Sequence, residues 1–345
     1  MNKRIIGALV LGCLASAALA QASTEPAPAA VLQQAQDAAQ ADAAAAQVVV
    51  SGKRPGPGLW KVSKGDHVMW VFGLYSPLPQ KMAWDAGRVE RLVAQSQAVL
   101  TPPRAGIGTS SFFGTLGALP AMIGMKKNPD GATLQDLLPA DVYARWQALK
   151  GKYIGDDEGI ERYRPLFASS ELMDAGMKKN GLVRSVEVSR QIEKIARKHD
   201  VKLVETGYKV NVDNPGQALR EFKKSQLEDV ACFTKTLERF EGDIDAMRTR
   251  ANAWANGNIA DINNIDYAER EDACNDAVLN SAFARNNPAM RDMRERRRAS
   301  WLEAAETALD KNATTFAMLS MSEITGPKSY LAALQAKGYT VESPK

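Results

Sequence analysis

Along this chain short apolar, β-rich runs bounded by turn residues give way to stretches with apolar positions at a period near 3.6, and the order of the changes predicts the elements. Leu59-Trp60-Lys61-Val62, a turn at Lys64-Gly65-Asp66, and His67-Val68-Met69-Trp70-Val71-Phe72 are two β-rich runs around a turn signal. They predict a β-hairpin whose second strand is fully buried. Trp84 to Val99 carries apolar residues at helical spacing, after which Ala98-Val99-Leu100 reads as a short strand stopped by Pro102-Pro103. Leu134 to Gly151 reads as one helix capped by Thr133, with Leu137, Leu138, Val142, Trp146 and Leu149 inward. A helix from Val186 to His199 leads into a strand, Val201 to Thr206, ending at Gly207. Helix followed by buried strand is the pattern of an α/β layer. After Pro215 the helical period dominates through Gly216 to Phe240, a stretch carrying Met247 and Trp254, and Met290 to Leu309. The chain closes on a strand at Thr315 to Leu319, a helix at Ser329 to Lys337 and a short strand at Tyr339-Thr340-Val341. The predicted fold is α/β: a central mixed β-sheet flanked by helices, with a large, mostly helical insert at about 216–309. No internal repeat of fixed period interrupts it.

Ahead of these elements the composition changes twice. Met1-Asn2-Lys3-Arg4 places two positive charges before an apolar run from Ile5 to Ala20 that ends in Ala18-Leu19-Ala20. Residues 1–20 are thus expected to be a signal peptide, cut before Gln21. A competing reading takes Val10-Leu11-Gly12-Cys13 as a lipobox, with Cys13 as an acylated anchor. Residues 21–50 are mostly Ala, Gln and Pro with small polar residues, cannot offset their ordering entropy by burial, and are expected to be a disordered tether to a folded domain at 51–345. No later stretch reaches membrane-spanning length. The expected location is periplasmic or secreted. Loss of Lys3 and Arg4 would lower the formal net charge from +4 to +2, which gives no electrostatic case for nucleic acid. The Gly-rich, apolar stretch 106–124 with Phe112 and Phe113 fits either a flap over a pocket or plain loop and core.

Cys232 and Cys274 are the only cysteines left after cleavage, and an oxidising compartment lets such a pair bridge. A Cys232–Cys274 disulfide is expected, worth roughly 4 kcal/mol by loop closure. The alternatives are two separate buried thiols or a metal site. The latter is poorly supported, because His67 and His199 are the only imidazoles and neither lies at ligand spacing.

Several separated segments, taken in order, resemble one family. Gly58-Leu59-Trp60-Lys61-Val62 with Val71-Phe72-Gly73-Leu74-Tyr75-Ser76-Pro77 looks like the opening of TraB/GumN (Tiki-like) proteins. There, a Leu-Trp strand pairs with a strand ending in Gly-x-x-His. Val204-Glu205-Thr206 is similar to the family's Leu-Glu-Thr strand end, Trp254-Ala255-Asn256-Gly257-Asn258 to its Trp-x-x-Gly-Asp element, and Arg294-Glu295-Arg296 to its Glu-Arg-Asn helix. Leu319-Ser320-Met321-Ser322-Glu323 through Gly338-Tyr339-Thr340-Val341 resembles the second Gly-x-x-His and the Gly-Tyr-x-Val ending. The resemblance implies a fold shared with erythromycin esterase-like and ChaN-like proteins. It also implies metal-dependent hydrolysis by the two histidines and nearby acidic groups, which could hold a divalent ion and leave a position for water.

This chain departs from that pattern where the chemistry sits. The first histidine position holds Ser76, the second holds Glu323 with Ser320 at its glycine, and the next strand's acidic position falls at Thr101 or Pro102. A neutral serine is a poor ligand and proline has none. One expectation is therefore an exported, non-catalytic scaffold with a binding or envelope role. It would need no cofactor, and its partner could be a peptide or envelope protein. The alternative is a metal-dependent hydrolase or peptidase with a remodelled site, in which Glu205 and Glu323 ligate Mg, Mn or Ca, Ser76 faces them, and Arg296 acts as an anion clamp. Against it, Glu205 is equally an exposed strand-end carboxylate, Glu323 a loop residue and Ser76 a turn residue before Pro77. A third expectation is a helical interaction protein using Arg291, Arg294, Arg296, Arg297 and Arg298. Interspersed Asp292, Glu295 and Glu303 read instead as a solvated, salt-bridged face.

Overall fold

A computed structural model describes residues 56–108, 122–212, 214–242, 244–259, 267–285, 292–326 and 328–344, with single residues at 120, 262 and 290. The expected leader, the Cys13 lipobox, the tether, most of the Gly-rich stretch and Arg291 lie outside the described residues.

β1 (Leu59–Lys64) and β2 (His67–Leu74) form the expected antiparallel hairpin, with Leu59 opposite Phe72 and Lys64 opposite His67. After β3 (Leu78–Pro79) and α1 (Gly87–Ala94) comes β4 (Ala98–Leu100), stopped as the prolines require, then β5 (Arg104–Gly108). The helix expected over 134–151 breaks in two. Pro139 excludes the helical conformation for Leu138, so α2 (Leu134–Leu137) ends there and α3 (Ala140–Tyr153) begins anew. Next are α4 (Pro165–Lys179), β6 (Leu182–Val183), α5 (Val186–Lys198), β7 (Lys202–Val204) and β8 (Gly207–Asn211). The helix expected from Gly216 to Phe240 is also two, α6 (Pro215–Lys224) and α7 (Val230–Gly242). α8 (Ile244–Ala255), α9 (Tyr267–Leu279), α10 (Ala282–Arg285) and α11 (Met293–Lys311) complete the helical run. β9 (Thr314–Ser320), α12 (Met321–Thr325), α13 (Tyr330–Ala336) and β10 (Thr340–Glu342) end the fold.

Six strands make one mixed sheet in the order β10-β1-β2-β9-β4-β7. β10, β1 and β2 pair antiparallel, whereas β2, β9, β4 and β7 run parallel. β9 comes from the end of the chain and inserts between β2 and β4. The carboxyl ends of β2, β9 and β4 are thereby neighbours, with Leu74 paired to Ser320 and Leu100 to Ala317. β9 is buried through Leu319, as the continuous apolar run Phe316-Ala317-Met318-Leu319 demands of a central parallel strand. α11 packs across β1, β2, β4 and β9 through Trp301, Leu302 and Ala305. α11 thus belongs to the sheet layer and not to the helical insert.

A second core lies among the helices. Leu134, Trp146, Leu172, Phe233, Leu237 and Met247 bury one another, so α2 to α4 join α7 and α8 in one apolar cluster. Trp146 stays buried because its indole N–H finds Glu161 Oε1 at 3.1 Å, and Lys150 Nζ meets the same carboxylate at 2.9 Å. Cys232 of α7 and Cys274 of α9 are bridged, with Cα atoms 4.5 Å apart and 42 positions of chain between them. Among the described residues no helix is long and apolar enough to cross a membrane.

Candidate functional site

Open α/β sheets bind ligands outside the carboxyl ends of strands where the order reverses, and the insertion of β9 between β2 and β4 makes such a place here. A cleft of about 420 Å³ opens there. Its floor is Leu74 from the end of β2 together with Ser320, Ser322 and Glu323 from the junction of β9 and α12. Pro102, Pro103 and Arg104, leaving β4, make one wall. Ser185, Val186 and Ser189, from the start of α5, make another, and Cys274, Asn275 and Arg297 close the third. The disulfide therefore holds one wall of the cleft to α7.

Ser320-Met321-Ser322-Glu323 forms a capping box at the start of α12. Ser320 N–H donates to Glu323 Oε2 at 2.9 Å, and Glu323 N–H donates to Ser320 Oγ at 3.3 Å. The other carboxylate oxygen, Oε1, receives Arg297 Nη2 at 3.1 Å, with the Glu323 side chain only 13% exposed. Tyr330 lies beside this pair. Burial pushes its phenol up, Glu323 adds to the rise, and Arg297 opposes it. Glu323 is therefore a helix residue with both oxygens engaged.

The acidic position of the next strand is also put to structural use. Thr206 N–H donates to Thr101 Oγ1 at 3.1 Å and Thr206 Oγ1 to the Thr101 carbonyl at 2.7 Å, both buried, so the ends of β4 and β7 are stitched by hydroxyls. Gly73, the glycine of the first motif, is fixed by packing. A Cβ there would meet Met321 Sδ at 2.5 Å and Trp60 Cζ3 at 2.9 Å, and its carbonyl accepts the Trp254 indole N–H at 2.7 Å. The tryptophan of the helical element thus anchors the end of β2.

The four candidate residues do not converge. Glu323 lines the cleft. Ser76 stands behind it, before a cis Pro77, its Oγ accepting a long 3.4 Å contact from Ser185 N–H. Glu205 is exposed beyond the end of β7 and does not line the cleft. Arg296 lies over the Tyr208 ring at 5.3 Å, donates to its hydroxyl at 3.2 Å, and does not line the cleft either. Its neighbour Arg297 does. The arginine run is in part the expected solvated, salt-bridged face, since exposed Arg296 pairs with Asp292 at 4.0 Å; Arg294 reaches Asp276 at 3.1 Å and Arg298 donates to Ser329 O at 3.2 Å, so these two tie α11 to other elements.

The donor set does not fit a divalent ion. Among the described residues no three His, Cys, Asp or Glu side chains come together as a metal site. His67 starts β2 and bonds Leu309 O at 2.6 Å, seven residues or about 23 Å of strand from Leu74. His199 caps the far end of α5 beside Glu90 at 3.1 Å, about 20 Å of helix from Ser185.

A family model described as TraB/PrgY/gumN family matches residues 58–343. No curated protein and no solved structure matches.

Proposed function

Because the chain belongs to the TraB/PrgY/gumN family and yet carries no imidazole in its strand-end cleft, we propose that it is an exported, ligand-binding member that does not use metal-dependent hydrolysis. The observation that carries this reading is the engagement of Glu323. The position where the family pattern has a ligating histidine holds a carboxylate whose oxygens already accept from Ser320 N–H and the Arg297 guanidinium. An ion bound to a carboxylate so paired would sit beside the Arg297 charge and compete with a helix cap, and serine at position 76 offers little in exchange. Export is supported by the leader pattern of residues 1–20 and by the Cys232–Cys274 bridge, which a reducing compartment would not maintain.

The test is elemental analysis and divalent-cation titration of the chain from Gln21 onward, as wild type and as a Glu205→Ala/Glu323→Ala double variant. The expected result is no stoichiometric Mg, Mn, Ca or Zn in either protein. A one-to-one ion that disappears in the double variant, with ion-dependent peptide cleavage in wild type, would replace this reading by the hydrolase.

A further inference from the structure

Resting on the reading of the cleft as a binding site, we propose that it takes the oxyanion end of a small ligand, a carboxylate or a phosphate, with Arg104 and Arg297 as the charged contacts. Charge and hydrogen-bond inventory lead there. Among the described residues two guanidinium groups and one carboxylate face the cleft, and that carboxylate is already engaged at both oxygens. Arg104, at the mouth, touches Glu193 through one nitrogen at 3.5 Å, and its side chain is 62% exposed. Arg297, deeper, gives one nitrogen to Glu323 and also hydrogen-bonds the Tyr330 hydroxyl, while its Nε is buried with no hydrogen-bond partner. An arginine has five N–H donors in a planar fork, so both residues keep donors to spare. Ser320 and Ser322 hydroxyls lie 3.0 Å apart and share one hydrogen, which leaves the other hydroxyl hydrogen to donate outward.

Among the described residues the cleft has surplus donors and a single carboxylate already paired to a guanidinium, a charge balance that disfavours cations and suits a planar or tetrahedral oxyanion, which guanidinium groups bind bidentately. Among the described residues the walls hold no aromatic ring on which a sugar or base could stack. The volume admits a small molecule or the terminal group of a larger one, and not a duplex or a folded domain.

Glu323 gives the proposal a distinctive sign. An anion at Arg297 sits beside the Glu323 charge, so neutralising Glu323 should tighten anion binding, whereas in a metal site the same change would remove a ligand. Glu323→Gln is suited to this, because glutamine also completes a capping box at that position. Arg104→Ala is suited to the converse, because the side chain is mostly in solvent and its loss leaves the fold intact.

The experiment is calorimetric titration of the protein from Gln21 onward with inorganic phosphate and, separately, with N-acetyl-alanine, at constant ionic strength in chloride. One saturable site is expected for at least one probe, and the tighter probe identifies phosphate or carboxylate as the ligand group. Arg104→Ala should weaken that probe about tenfold, the worth of one charge-assisted hydrogen bond. Glu323→Gln should tighten it several-fold. Failure of both probes to saturate, or an affinity unmoved by Arg104→Ala, or weakening in Glu323→Gln, overturns the anion site. A divalent ion held in wild type and lost in Glu323→Gln instead overturns the metal-free reading on which it rests.

Discussion

Replacing Gly207 by alanine perturbs one atom at the joint between the sheet and the cleft. Gly207 follows the Thr101–Thr206 stitch and pairs with Arg104 at the start of β8 and β5. Its φ is +127°, a conformation that side-chain-bearing residues rarely adopt, and a Cβ there would stand 2.0 Å from the Arg104 carbonyl oxygen and 2.6 Å from its nitrogen. Both neighbours are backbone, so no rotamer change relieves the contact, and β5 must move away from β8. Holding alanine in that conformation costs about 1–3 kcal/mol and overpacking costs about 1–3 kcal/mol more, a total of roughly 2–6 kcal/mol. Gly65 supplies the control. Its φ of +58° is also positive, but no atom lies within 4 Å of a Cβ there, so Gly65→Ala should lose only about 1–2 kcal/mol. Urea unfolding followed by tryptophan fluorescence measures both. If Gly207→Ala is no less stable than Gly65→Ala, the backbone clash is not what fixes that glycine.

Arg164 should be the most costly charge to remove. It is 2% exposed and donates to Lys127, Phe222, Lys223 and Ser225 carbonyls at 2.9–3.1 Å, so Arg164→Ala should lose about 3–5 kcal/mol in the same assay and Arg164→Lys part of it. Asp229 gives a pH signature. Burial raises its carboxyl above the unfolded value, against the Leu166 N–H bond that favours the anion, so the folded state holds its proton more tightly. Stability from this group is then full below about pH 4 and is lost as pH rises to the raised value; Asp229→Asn should flatten that segment of the stability–pH curve, and an unchanged slope would refute the assignment. Removing the bridge with Cys232→Ala/Cys274→Ala should cost about 4 kcal/mol by loop closure over the intervening chain, and should weaken phosphate or N-acetyl-alanine binding, since Cys274 lines the cleft. A loss under 1 kcal/mol in urea would show that packing alone holds α9.

How far the sequence could be read depended on whether the deciding interaction was local. The β1–β2 hairpin, β4 and β9 follow from short apolar, β-rich runs and the turn residues and prolines that bound them, and they match the structure to within two residues. The break at Pro139 was equally local, because a residue before proline avoids the helical region, and treating 134–151 as one helix overlooked it. The break between α6 and α7 was not legible. Ser225-Gln226-Leu227-Glu228-Asp229 contains no proline or glycine; what stops α6 is Arg164, some sixty positions earlier, drawing the carbonyls of Phe222, Lys223 and Ser225 to itself.

The same distinction governs the site. Read against a family pattern, Ser320 to Glu323 is a damaged Gly-x-x-His; read by itself, it is Ser-x-x-Glu after an apolar run, a capping box with a physical purpose of its own. The choice among the arginines was also within reach. Trp301, Leu302 and Ala305 mark the buried face of α11, and positions four residues back from Trp301 and Leu302 are Arg297 and Arg298, whereas Arg296 lies four back from Ser300. Helical phase therefore sends Arg297 towards the core side, where it meets Glu323, and Arg296 outward onto Tyr208. What no local rule supplied is that β9, from the end of the chain, would seat itself between β2 and β4 and so bring Glu323 and Arg104 to one cleft. Once β9 is seated there, the charged groups of the cleft are held by local devices, Glu323 by a helix cap and Arg297 by the phase of a buried helix.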